Sequence, residues 1–378
     1  MALGYCPAIL LHLKAIAGDA YPGHKVTEPG FTLMLYNQPN RPSILQQAYP
    51  NGHSRTATVK YKPRTTENYV NDAISCDVDL TPAWKETPFT ADKTVQLGLY
   101  FSDETIRLYC EDASRMINGD GSLTGIPPST LMAEHLDGIL HAMNGLYQKM
   151  DKTLLTTMST LFGKNKRTGF SGATPSTINI PLNGTQNDLQ TGLPRLWTDI
   201  VENEICAKPT IVGNGNFLAW DMLIRNGAVS ANQSGINYSE TPQYRFYHDI
   251  YSATQWGSNQ IGVFEDGAIH IIEDLRNVGN WQGQKPGASS FGIFRDPRTQ
   301  CWSPNGLTMI PWDIQIKYID CPTTLNDGYA GGTATFDRGF AIYISKRYGL
   351  FTIPTDAYDG ADIIAGNNGT LRYTITNT

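Results

Sequence analysis

The chain is short of charge. Asp, Glu, Lys and Arg make up 17% of its 378 residues, against about a quarter in an average globular domain. What charge there is sums to a formal −6, which argues against a protein that holds nucleic acid by its own basic surface. Cysteine is also sparse and scattered. Cys6, Cys76, Cys110, Cys206, Cys301 and Cys321 include no CxxC pair. An even count permits disulfides, but spacing this wide fits reduced thiols in a cytosolic setting. No apolar run is long enough to span a bilayer. Catalytic signatures are missing too: there is no HExxH, no metal-spaced Cys/His cluster and no GxSxG elbow. The expectation is therefore a chain with no enzyme activity, no catalytic or metal-binding residues, no cofactor and no membrane partner.

What is plentiful is Gly (36 residues), Tyr (19), Thr and Asn. That mixture favours a β-rich protein with large, polar, uncharged surfaces. The length allows two or three domains and a large core. Residues Pro7 to Ala17 hold a short apolar run, but Lys14 lies inside it and nothing basic precedes it. This reads as an arm that packs on something rather than a signal peptide.

One segment breaks the pattern of short strands and loops. From Thr130 to Phe162, apolar residues fall at Met132, Leu136, Ile139, Met143, Leu146, Met150, Leu154, Met158 and Leu161. Steps of three and four keep them on one stripe of a helix. Leu140, Tyr147, Leu155 and Phe162 widen it, so more than one surface must cover it. At about 1.5 Å per residue the helix runs roughly 50 Å. Pro127 and Pro128 block helix before it, and Ser129 or Thr130 can cap it. Gly163 offers a left-handed stop, with Lys164, Lys166 and Arg167 at the negative end of the dipole.

The rest is read from alternation and turn signals. Residues 1–50 are Pro-rich and expected to form little internal structure. Arg55–Lys62 and the alternating Ile74–Leu80 are expected to pair as a long hairpin tipped by Pro63–Asn71. Val95–Phe101 is a strand and Ser102–Ile117 a helix. Ile178–Ile180 is a short strand, Pro194–Ala207 a helix, Thr210–Val212 a strand and Phe217–Ile224 a helix. Asp266-Gly267 between Ile261–Phe264 and Ala268–Ile272 signals a hairpin. Trp312–Tyr318, Gly339–Ser345, Tyr348–Ile353 and Thr370–Ile375 are further strands.

Four groups mimic chemistry. Gly213-Asn214-Gly215-Asn216 follows a strand as a phosphate loop does, but Leu218 replaces the third glycine and no lysine follows. Asn118, Asp120, Ser122 and Thr124 alternate like calcium ligands, yet Leu123 stands at the sixth position and Ser129 at the twelfth. His135 and His141 point roughly 120° apart on a helix and cannot share a metal. His248-Asp249, His270 and Glu273-Asp274 gather acids and bases near one hairpin with no nucleophile to serve.

The order of parts then carries a resemblance. A Pro-rich arm leads to an extended hairpin, a strand and short helix. The long helix follows, with Met150-Asp151-Lys152-Thr153-Leu154-Leu155 late in its run. After it come Lys208-Pro209-Thr210-Ile211-Val212-Gly213-Asn214 and Pro311-Trp312-Asp313-Ile314-Gln315-Ile316. This resembles the major capsid proteins of tailed bacteriophages, the HK97-like fold, over nearly the whole chain. The ending, Tyr348-Gly349-Leu350-Phe351-Thr352-Ile353-Pro354 through Gly369-Thr370-Leu371-Arg372-Tyr373, looks most like capsid proteins of phages of Bacteroidetes-type hosts.

The resemblance implies an α+β fold with five parts. These are an N-terminal arm (1–50), an extended loop (51–94), a peripheral domain with a spine helix at 130–162 (95–207), an axial domain (208–320) and completing C-terminal strands (321–378). It implies no catalytic step. It implies self-assembly into hexamers and pentamers of an icosahedral shell that confines double-stranded DNA, in a virion made in the host cytoplasm. Portal, scaffolding and decoration proteins are the expected partners. No charged helical stretch precedes the arm, so scaffolding is expected to be a separate protein. Intersubunit contact is expected from Arg55, Lys60, Lys62, Arg64, Glu67, Lys164, Lys166 and Arg167. An encapsulin-like cargo shell and a lectin-like β-rich surface protein are the competing readings.

Overall fold

A computed structural model describes residues 29–37, 44–46, 56–61, 85–102, 130–165, 175–179, 196–205, 208–218, 244–274, 289–296, 298–299, 309–319, 323–326, 333–336, 339–354 and 368–376. The fold is α+β and strand-rich, and the chain divides into two compact units. One comprises Met1–Thr27, Asp92–Met150 and Glu273–Tyr348; the other comprises Glu28–Ala91, Asp151–Ile272 and Gly349–Thr378. The division falls inside the long helix, Thr130–Leu161, and inside the longest strand, Gly339–Thr352.

The first unit is built on an antiparallel sheet. Its strand order is Ser289–Asp296, Ile310–Ile319, Gly339–Thr352, Lys93–Ser102. The alternation expected at 95–101 is present: Val95 and Phe101 are buried, while Thr94, Gln96 and Gly98 are exposed. Register places Ile314 opposite Ile344 and Ile344 opposite Leu97, so branched apolar side chains align across three strands. The two strands expected at 339–345 and 348–353 are one strand of 14 residues. Lys346 and Arg347, which look like a break, remain in the ladder because each finds an acidic partner, Glu273 and Asp274. Thr323–Asn326 and Thr333–Phe336 form a separate two-stranded sheet.

The second unit holds a five-stranded mixed sheet in the order Ser176–Asn179, Thr370–Thr376, Gln260–Phe264, Thr210–Gly213, Arg245–His248. Its first and last pairs are parallel. Helix 196–202 supplies Leu196 and Ile200 to a core completed by Ile211, Phe217, Val263 and Tyr373, among others. A smaller sheet joins Ile44–Gln46, Thr56–Tyr61 and Lys85–Thr90. Val59, Tyr61, Ile272 and Phe351 form its core.

Three expectations are corrected. Thr56–Tyr61 pairs with Lys85–Thr90 on one side and with Ile44–Gln46 on the other; the alternating segment 74–80, expected as its partner, lies outside the described residues. Alternation marks a strand but does not choose its neighbour. Second, Asp266-Gly267 does make its turn, with Gly267 at φ +81° and the Ala268 amide donating to the Glu265 carbonyl. The flanking strands nevertheless enter different sheets: Gln260–Phe264 pairs with Thr370–Thr376, and Ile269–Asp274 pairs with Gly339–Thr352. Third, the Pro-rich N-terminal segment contains a buried helix, Gly30–Asn37. The run Phe31-Thr32-Leu33-Met34-Leu35 is apolar enough to join the core. The Pro29 carbonyl starts the helix by accepting from the Leu33 amide at 2.8 Å.

The long helix matches its sequence stripe. Ile139, Met143, Leu146, Met150, Leu154 and Met158 are buried, as are Leu140, Tyr147, Leu155 and Phe162. Each such burial contributes roughly 1.5–3 kcal/mol. Of the expected helix at 102–117, Ser102 ends the strand Lys93–Ser102, and the remainder, with the calcium-like loop at 118–129, lies outside the described residues.

Candidate functional site

Among the described residues, no catalytic constellation forms from the sequence candidates. In the Gly213–Asn216 turn, the Asn214 carbonyl accepts the Phe217 and Leu218 amides at 3.0 and 3.1 Å, and its side-chain Oδ1 accepts the Asn216 amide. Donors that a phosphate would need are already bonded to Asn214. Asp249 accepts backbone amides, Glu273 pairs with Lys346, and Asp274 pairs with Arg347 at 3.1 Å. Among the described residues no group of three His, Cys, Asp or Glu side chains is placed to hold a metal. Nor, among them, is any helix long and apolar enough to cross a membrane.

The distinctive arrangement is instead the polar anchoring of the long helix. Within the first unit, the Trp312 indole donates to the Tyr147 hydroxyl at 2.9 Å, and that hydroxyl donates to Asp296 Oδ2 at 2.9 Å. The two rings meet edge to face at 5.1 Å. Arg298 grips Asp296 through Nε and Nη2, and its Nη1 donates to the Leu140 carbonyl and to Asn144 Oδ1, both at 3.0 Å. Asp296 is fully buried. Burial and then the Asp296 charge push the Tyr147 hydroxyl well above its ordinary pKa, opposed by the bond from Trp312. Tyr147 therefore stays a neutral donor.

Lys346 is another buried charge of this unit. Its ammonium pairs with Glu273, donates to the Pro311 carbonyl at 3.0 Å and lies over the Trp312 ring. Burial lowers its pKa, opposed by Glu273 and Asp313.

Within the second unit, the helix end is held by side chains far away in sequence. The Trp256 indole donates to the Leu155 carbonyl at 2.8 Å, and Asn368 Nδ2 donates to the Leu161 carbonyl at 2.9 Å. Arg372 donates to the Trp256 carbonyl at 2.9 Å and to Gln260 Oε1 at 2.7 Å. The Gly163 amide donates to the Thr370 carbonyl at 2.9 Å. Gly163 is not in the left-handed conformation expected of it. It is glycine because a Cβ would lie 2.8 Å from the Asn368 backbone nitrogen and 2.9 Å from the Thr370 carbonyl oxygen. Next to this end, Asp199 accepts from Asn165 and from the Tyr373 hydroxyl, each at 2.6 Å.

Earlier on the helix, buried Asp151 accepts from the Thr32 amide at 2.9 Å and the Thr32 hydroxyl at 2.7 Å. Asp249 accepts the neighbouring Phe31 amide at 2.8 Å. Two carboxyls thus meet the first turn of helix Gly30–Asn37. Burial and then the Asp249 charge push Asp151 well above the usual carboxylate range. The spacing held a trace of this: Tyr147, Asp151 and Leu155 lie four apart, so the aspartate shares the buried face. No local signal marks Asp296, Asn368 or Arg372.

Of the expected contact residues, Lys60 pairs with Glu86 at 2.5 Å across strands, and Lys164 is half-buried just past the helix. Arg55, Lys62, Arg64, Glu67, Lys166 and Arg167 lie outside the described residues.

No protein-family model matches the chain, and no curated protein matches it. Among solved structures it is similar to the capsid of the Cyanophage P-SCSP1u, at 10% identity over 86% of this chain and 84% of that chain, TM-score 0.38. It is similar to the mature capsid of bacteriophage PhiM1, at 8% identity over 86% and 83%, TM-score 0.40. A virus-like particle from Pyrococcus furiosus matches at 8% identity over 98% and 99%, TM-score 0.37.

Proposed function

We propose that the chain is a major capsid protein with the HK97-like architecture, whose copies assemble as hexamers and pentamers of an icosahedral shell around double-stranded DNA. The observation that carries this is the 32-residue helix, buried on a wide stripe and anchored by side chains along its course. Its place in the element order supports the reading. The strand Lys93–Ser102 precedes it and a mixed α/β sheet follows, as the resemblance in sequence implies. A rod so restrained transmits load without bending, which is what a shell subunit needs. Assembly proceeds through heterologous contacts that close into rings. The net charge of −6 is compatible, because a shell confines DNA geometrically.

The extended loop, with Arg55, Lys60, Lys62, Arg64 and Glu67, and the basic cluster Lys164, Lys166 and Arg167 contribute the intersubunit contacts. Portal, scaffolding and decoration proteins are the further partners, and the particle is assembled in the host cytoplasm. Electron microscopy of the expressed chain, with nuclease treatment of purified native particles, tests the proposal. Shells or ring-shaped capsomers, and protected DNA in native particles, are expected. A sugar-binding monomer would sink the idea, and packaged protein in place of DNA would favour a cargo compartment.

A further inference from the structure

The two aspartates at the first turn of helix Gly30–Asn37 are not equivalent. Both oxygens of Asp249 accept backbone amides. Oδ2 takes Phe31 at 2.8 Å, and Oδ1 takes Tyr251 at 2.8 Å and Ser252 at 3.0 Å. Asp151 uses only Oδ1, for Thr32. Its Oδ2 is buried and has no donor among the described residues, and the carboxyl lies against that of Asp249. Both residues are 0% exposed. Two ionised carboxylates in contact, away from water, repel strongly; one proton between them turns the contact into a charge-assisted hydrogen bond.

We propose that Asp151 carries a proton on Oδ2 and donates it to Asp249, so that the pair holds one proton and one negative charge and latches helix Gly30–Asn37 against the long helix. The single charge sits where the helix dipole favours an anion. The surrounding groups fit. Burial, and then the negative charge of the carboxyl pair, raise the pKa of the Tyr251 phenol and keep it neutral, and the Lys152 ammonium lies 4.6 Å from the Tyr251 ring centre. His248 precedes Asp249 in the strand Arg245–His248 and is half-buried.

The latch is pH-dependent. Asp151 holds its proton to a higher pH in the folded chain than in the unfolded one, as its upward shift by burial and by Asp249 implies. Between the unfolded and folded values the folded state binds more protons, so stability falls as pH rises through that window and is level above it. Replacement of Asp151 by Asn keeps both roles, with Oδ1 accepting from Thr32 and Nδ2 donating to Asp249, and removes the titration. The same change at Asp249 sets a donor against backbone donors.

The test uses the full chain with Asp151→Asn and Asp249→Asn. Thermal midpoints are followed across pH, together with exchange of the Phe31 and Thr32 amides and the infrared carbonyl band of protonated carboxyls. Expected are a folded D151N whose advantage over the unaltered chain grows with pH to a plateau, with loss of one protonated-carboxyl band. D249N is expected to lose protection at Phe31. A D151N chain that fails to fold overturns the proposal. So does a midpoint difference that does not change with pH, or an unchanged carboxyl band.

Discussion

Among the described residues, several buried charges meet defined partners. Asp296 is the clearest case. It is the common acceptor of Tyr147 and Arg298, and through them it reaches a helix carbonyl and an indole. Replacement by Ala leaves a guanidinium without its carboxylate and a buried hydroxyl without its acceptor. Loss of one member of such a pair costs about 3–5 kcal/mol. Equilibrium unfolding in urea of Asp296→Ala against the unaltered chain reads this directly. A loss below about 1 kcal/mol would match a surface ion pair instead. The residue types were visible in the sequence, but their convergence was not. Asp296, Tyr147 and Trp312 are separated by up to 165 positions, and no local pattern specifies a contact at that range.

At the scale of elements, the long helix obeyed its sequence for most of its length. A stripe repeating at three and four can be buried only as a helix, and every described position of the central stripe from Ile139 to Met158 is buried. Its end did not follow local rules. Gly163 and three basic residues look like an ordinary stop, yet Asn368 and Thr370 make the cap. Glycine is required there for close approach, so Gly163→Ala is expected to cost about 1–3 kcal/mol through displacement of the Asn368–Thr370 segment. Thermal unfolding measures the loss. A left-handed glycine would be partly rescued by Asn at the same position, whereas here Gly163→Asn should be at least as damaging as Ala. The N-terminal helix shows the same limit from the other side. Proline density argues against structure, but the eight residues Gly30–Asn37 suffice for a helix whose first turn is satisfied by Asp151 and Asp249.

For the whole molecule, the proposed shell role turns on surfaces that the folded subunit does not need. Thr56–Tyr61 and Lys85–Thr90 are paired to one another and backed by Tyr61, Phe89 and Phe351. Deletion of Pro63–Asn71 is expected to leave the melting temperature within a few degrees of the unaltered chain, a shift equivalent to about 1 kcal/mol or less. The same deletion is expected to abolish or strongly reduce shells in micrographs. Normal shells from the deleted chain would remove the loop from the assembly mechanism.

Period and composition by themselves determined a strand-rich chain, the long helix and its buried stripe, and most strand positions, while the α+β class was read from the resemblance. Those properties depend on residues within a turn or two of each other, where backbone geometry alone dictates which side chains share a face. Tertiary structure decided the rest. It chose Lys85–Thr90 as the partner of Thr56–Tyr61, sent the two strands beside Asp266-Gly267 into different sheets, and drew the buried carboxyls to the helices. Pairing partners and buried polar contacts are selected by competition among surfaces distant in the chain, and that selection has no signature in any short window of sequence.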